Sequence, residues 1–205
     1  TIIEGPDRQV RSVDHGVVVL ATGGTEAPAR EYAWGASPAV LTQAELERRL
    51  ADGRVGARSL DTVVMIQCVG SRQEPRNYCS RGCCAAALKQ AFAIRELNPE
   101  AGVYVLHRDL MTAGFTEAAF TRARQAGMVF IPYHLDRRPL VEPVTGGLTV
   151  TVEEPILQRT LRIEAQLVVL ATGIVPALPR ELAEAYGARL DPDGFFQEAE
   201  SKWRP

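Results

Sequence analysis

Short, wholly apolar runs set the rhythm of this chain. Val17-Val-Val-Leu-Ala21 leads into Thr22-Gly23-Gly24, and Leu167-Val-Val-Leu-Ala171 leads into Thr172-Gly173 about 150 residues later. Runs of this length, apolar at both parities, predict strands buried on both faces, as in a parallel sheet covered above and below. Thr62-Val-Val-Met-Ile-Gln67, Gly102-Val-Tyr-Val-Leu-His107 and Val129-Phe-Ile-Pro-Tyr133 predict three more strands. Between them the period changes. Thr42 to Leu50 predicts a helix with Thr42 as N-cap, acidic residues in its early turns and Gly53 as its stop. Cys83 to Leu97 is rich in alanine and closed by Asn98-Pro99, a second helix, and Thr116 to Gln125 is a third, ending at Gly127. Leu148-Thr-Val-Thr-Val152 and Thr160-Leu-Arg-Ile163 alternate at period two around Glu154-Pro155, which predicts a β hairpin.

Strands alternating with helices are the grammar of an open parallel sheet with crossover helices. The expected fold class is α/β: a Rossmann-like parallel sheet over residues 58–175, with strand order starting from the 62–67 strand and the hairpin on the sheet edge. Residues 1–57 and 176–205 read as flanking pieces of another domain.

Length and charge narrow the function classes. The chain has 205 residues, with 46% hydrophobic and 23% charged positions, enough for a real core and unlike a disordered or fibrous protein. Lys plus Arg number 23 against 25 Asp plus Glu, a formal charge of −2 without long like-charge blocks, so no electrostatic case exists for nucleic acid or a membrane surface. No apolar run approaches the roughly 20 residues that span a bilayer.

The cysteines carry the strongest chemical signal. All four fall in one window, as Cys68-x10-Cys79-x3-Cys83-Cys84. Disulfides that staple a fold close separate loops, so this clustering points instead to a metal, an iron-sulfur cluster or redox chemistry in a reducing, cytoplasmic compartment. One thiol lies at a predicted strand end and three surround the start of the following helix. Ligands delivered that way can converge on a cubane, and the helix N-terminus favours its negative charge. Arg72, Arg76 and Arg81 are expected to add positive charge nearby. The spacing matches neither a bacterial ferredoxin run nor a zinc ribbon, so a Cys83/Cys84 dithiol or a Cys79/Cys83 redox pair stays open beside the cluster.

The same strand end is where a dinucleotide-binding domain would carry G-x-G-x-x-G, and only Gly70 is present. The next strand ends in His107-Arg108-Asp109, too far along for the usual ribose contact, which favours a sheet-edge structural role for Arg108 and Asp109. His15, His107 and His134 show no ligand spacing. Trp34, Trp203, Tyr32 and Tyr78 have the faces to stack on a flavin, with ordinary packing as the default.

With these residues assembled, the chain resembles the heterodisulfide reductase A-subunit family of iron-sulfur flavoproteins. The carrying segments are Val17 to Gly24, Glu31-Tyr-Ala-Trp-Gly35, Val63 to Arg72, Tyr78-Cys-Ser-Arg-Gly-Cys-Cys84, Val103 to Asp109, Leu167 to Pro176 and Asp193-Gly-Phe-Phe196. The resemblance implies a thioredoxin-reductase-like flavoprotein in which a middle domain interrupts a split FAD domain. It implies a [4Fe-4S] cluster on Cys68, Cys79, Cys83 and Cys84, and a FAD lined by Thr22, Gly23, Thr172 and Gly173. It also implies partner subunits and electron carriers, admits a homodimer, and casts the chain as an internal fragment inactive alone, because the family's glycine-rich FAD fingerprint and ferredoxin-like cysteine sets are absent. Two rival functions remain open: a pyridine-nucleotide-dependent disulfide reductase exchanging through Cys83 and Cys84, and a zinc-stabilised subunit-interaction module.

Overall fold

A computed structural model describes residues 2–4, 6–56, 60–177 and 180–197. In chain order the first elements are β1 (Ile2–Glu4), β2 (Val10–Ser12), β3 (Gly24–Glu26), β4 (Val40–Thr42), α1 (Gln43–Ala51) and β5 (Thr62–Ile66). Next come α2 (Cys83–Leu97), β6 (Gly102–His107), α3 (Thr116–Gln125), β7 (Val129–Pro132) and β8 (Leu140–Val144). The last are β9 (Gly147–Glu154), β10 (Arg159–Ala165), β11 (Leu167–Leu170), β12 (Ile174–Pro176) and α4 (Arg180–Ala185). The chain forms two compact units, residues 25–175 and residues 1–24 with 176–205.

The 25–175 unit is built on a five-stranded sheet in the order β4-β11-β5-β6-β7, and every pairing in it is parallel. Its strands are short and apolar because both faces are covered. One face packs Val63, Met65 and Val169 against Leu46 of α1 and Ala87 and Ala91 of α2. The other packs Val64, Ile66 and Leu170 against Val150, Val152 and Ile163 of a three-stranded antiparallel sheet, ordered β10-β9-β8. The result is three layers: helices, parallel sheet, antiparallel sheet.

This arrangement bears out the α/β class and corrects its detail. The β5 strand is central, not first, because an element apolar on both faces gains most with a neighbour on each side, here β11 and β6. The hairpin lies on a sheet face, not its edge. The apolar side chains Leu148, Val150 and Val152 of β9 are buried there, and β8 extends the hairpin into a third strand.

The smaller unit gives the other correction. Val17 to Gly23 form no strand, and Val17 and Val19 are 80% and 82% exposed. Nearly identical residues in β11 are fully buried between β4 and β5. Apolar composition makes a strand only where edges and faces find partners, and among the described residues no strand pairs with Val17 to Gly23. Residues 1–24 also carry the β1–β2 antiparallel pair.

Candidate functional site

The site begins where β5 ends. Gln67 continues the ladder through its N–H to Leu106 O at 2.9 Å, and the chain then turns at Cys68, which adopts φ +58°. Gly70 and Arg72 are also left-handed, at +58° and +57°. Such backbone at non-glycine residues costs on the order of 1 kcal/mol or more and persists only where the surroundings hold it.

Here they do, through two neighbouring strand ends. On the β11 side, Val69 N–H donates to Ala171 O at 2.9 Å, Tyr78 Oη–H to Ile174 O at 2.9 Å, and Ile174 N–H to Ser80 Oγ at 2.8 Å. On the β6 side, Arg108 Nη1 donates to the carbonyls of Ser71 at 3.3 Å and Arg72 at 3.0 Å. Ser71 Oγ–H closes the loop on itself by donating to Tyr78 O at 3.0 Å.

The loop, the start of α2 and the segment after β6 bring all four cysteines, Arg72 and Met111 to the walls of one narrow cavity. All four thiols are free; Cys84 is buried and the other three are half-buried. The α2 helix opens at this cavity from Gly82, which has no side-chain cap, so its first-turn N–H groups and positive dipole end are uncommitted to a capping side chain. Gln43 Nε2 fixes the helix start by donating to Cys83 O at 3.0 Å.

Electrostatics are concentrated on one arginine. Arg72 places Nη1 3.9 Å from Cys68 Sγ while Nη2 makes a 2.6 Å ion pair with Asp109. Backbone donors add to it: Arg81 N–H to Cys79 Sγ at 3.4 Å, Gly173 N–H to Cys83 and Met111 N–H to Cys84. Burial pushes the Cys83 thiol up to about 11, and the neighbouring thiols add to the rise. Burial also raises Cys68 and Cys84, against the pull of Arg72. Thiols so raised are poor nucleophiles at neutral pH. Among the described residues, no three His, Cys, Asp or Glu side chains close round a single point as one metal ion requires.

Arg76, expected beside the cysteines, instead donates from Nη1 to Thr172 O at 3.0 Å, and its other nitrogen crowds Gly70. Thr172 is buried with Oγ1–H donating to Ala27 O at 2.6 Å. Gly173, at φ +82°, lies so close to the cysteine loop that a Cβ would stand 2.9 Å from Ser80 Oγ. Thr22 and Gly23 are in the smaller unit, lining a cavity with Pro176, Phe195 and Phe196. Trp34 donates to Glu45 and Tyr32 packs on the core, while Trp203 lies outside the described residues.

Arg108 and Asp109, which the sequence assigns a structural place, take one beside the cysteines. They hold the cysteine loop and Arg72, and their signal was position: they end the parallel strand next to the one that ends in Cys68.

No protein-family model matches the chain. It is 37% identical to the iron-sulfur A subunit of the CoB–CoM heterodisulfide reductase of Methanocaldococcus jannaschii, over 93% of this chain and 31% of that protein. It is 35% identical to the A subunit of the H(2)/formate:CoB-CoM heterodisulfide,ferredoxin reductase of Methanococcus maripaludis, over 96% of this chain and 32% of that protein. The chain thus spans about a third of the length of these relatives. In fold it is similar to T. acidophilum thioredoxin reductase, with a TM-score of 0.53 at 13% identity over 89% of this chain and 51% of that one. A Kutzneria ornithine N-hydroxylase gives 0.50 at 13% identity over 96% and 55%. Over nearly its whole length, then, this chain is a homologue of one stretch of the heterodisulfide reductase A subunit, built on a thioredoxin-reductase-like α/β fold.

Proposed function

We propose that Cys68, Cys79, Cys83 and Cys84 ligate a [4Fe-4S] cluster, and that this chain, within a longer protein of the heterodisulfide reductase A-subunit type, relays electrons between that cluster and FAD. The observation that carries the reading is the convergence of four free thiols, from a strand end, a loop and a helix start, on one cavity. The residues present fit the group. Four thiol sulfurs are the donor set of a cubane, and Arg72 with the first turn of α2 offsets the negative charge such a ligand set gathers. When bound, the cluster supplies a one-electron store.

The protein's part is to hold and insulate the thiols. Arg108, Tyr78 and Ser80 lash their loop to the end of β6 and the start of β12, so the sulfurs keep their places as charge changes. Thr22, Gly23, Thr172 and Gly173 are assigned to FAD; of these Thr172 is buried, its hydroxyl committed to Ala27 and its carbonyl to Arg76. Partner subunits and electron carriers of the kind named for the relatives are part of the same proposal.

Anaerobic reconstitution with iron and sulfide tests the reading. It should yield about four irons per chain and brown absorbance, both lost in Cys68→Ser or Cys84→Ser. No iron uptake, zinc at full occupancy, or serine variants with unchanged iron would overturn it.

A further inference from the structure

Gln67 is 1% exposed, yet neither Nε2 nor Oε1 has a hydrogen-bond partner. One strand over, the buried Nδ1 of His107 is also unpartnered. The two residues are neighbours: Ile66 pairs with Leu106 in the parallel register, and Gln67 N–H continues that ladder to Leu106 O. A buried carboxamide open at both ends is costly, and an apolar side chain of equal volume would make a better core. Such a group calls for a specific explanation, a redox role or a missing partner among them.

Its place indicates which. Gln67 directly precedes Cys68, and strand alternation turns its side chain to the face shared by Val63 and Met65, where Ala87, Leu88 and Ala91 of α2 pack. Cys84 stands one turn before Ala87 and Leu88 on that same buried face of α2. The orphaned amide therefore sits next in sequence to the ligand at the strand end, on the sheet face covered by the helix that starts at Cys83 and Cys84.

We propose that Gln67 is a positioning residue for the cysteine ligands, donating its Nε2–H to a ligand sulfur of the loaded site while Oε1 accepts from His107 Nδ1–H. The assignment rests on the cluster reading above. A donor to sulfur withdraws negative charge and favours the reduced state, so it raises the potential of the site.

Gln67→Met and His107→Leu test it in the reconstituted chain, through iron content, apoprotein melting and potentiometric titration. Gln67→Met should melt at or above the wild-type apoprotein, because an unpaired buried amide is gone. Loaded with about four irons, it should be biased about tenfold toward the oxidised state, a potential about 59 mV lower for a one-electron couple. His107→Leu should shift the same way by less, and it decides the matter if Gln67→Met does not fold. Iron-replete variants with wild-type potential would overturn this assignment alone and leave the amide to packing or a bound water. A wild-type chain that takes up no iron would overturn the cluster reading, and this assignment with it.

Discussion

Arg72 holds two partners at once, a thiol at 3.9 Å and the Asp109 carboxylate at 2.6 Å, with only a quarter of its side chain exposed. Its charge is therefore aimed, and the aim comes from β6. Arg72→Met should keep the fold but lower the potential of the reconstituted site, because the guanidinium that offsets ligand charge is gone. Asp109→Asn should leave it unchanged or raise it, since the cation stays and a carboxylate on the cavity wall is gone. Potentiometric titration of both checks the signs; a potential lowered by Asp109→Asn as much as by Arg72→Met would show that Arg72 does not act through its charge. At this scale the cysteines were legible because a thiol announces its chemistry by identity and spacing. The place of Arg108 and Asp109 beside them was not, because it arises from strand adjacency: only when β6 lies beside β5 does the end of one strand meet the loop after the other. The misplacing of Arg76 has the same origin, since it is four residues from Arg72 in sequence but on the other side of the loop, at Thr172.

Helix and strand spans followed hydrophobic period closely: α2, α3 and β6 run from Cys83 to Leu97, Thr116 to Gln125 and Gly102 to His107, as the pattern predicts. What period does not encode is pairing. The three residues of β4 are too few to show one, yet β4 closes the sheet beside β11. Val17 to Ala21 show the reverse, strand composition without a strand. The α1 start is set by chemistry that a short motif does encode. Thr42 Oγ1 accepts from Glu45 N–H at 3.2 Å, and Glu45 Oε2 accepts from Thr42 N–H at 2.8 Å and from Trp34 Nε1–H at 3.0 Å. Burial pushes the Glu45 carboxyl up, but the hydrogen bonds from Trp34 and Thr42 outweigh it and hold the group below its ordinary range. A carboxyl lowered in the folded state adds stability at neutral pH that is lost as pH falls through its folded value. Thr42→Ala should therefore cost about 1 kcal/mol at pH 7. In urea unfolding that cost should shrink as the medium is acidified below the ordinary glutamate value of about 4.3; a cost unchanged by acid would mean the carboxylate does not support the cap.

At the scale of the molecule, the two proposed cofactors depend on different parts of the chain. All four cysteines, and every hydrogen bond described as holding their loop, lie within residues 25–175. Iron loading should accordingly proceed in this chain by itself. FAD makes another demand: its pyrophosphate is held where a glycine-rich turn lets backbone approach the phosphates at a helix N-terminus. No G-x-G-x-x-G occurs in the 205 residues. Val17 and Val19 meanwhile stand in water, although the run they belong to has the composition of an interior strand. Thr22 and Gly23, assigned to the flavin, follow directly on that exposed run. These 205 residues should therefore hold iron and release flavin. After incubation with excess FAD and anaerobic reconstitution, gel filtration should return protein with brown absorbance and about four irons, with the yellow flavin in the small-molecule fractions. Stoichiometric FAD eluting with the protein would show that the missing phosphate cradle is dispensable.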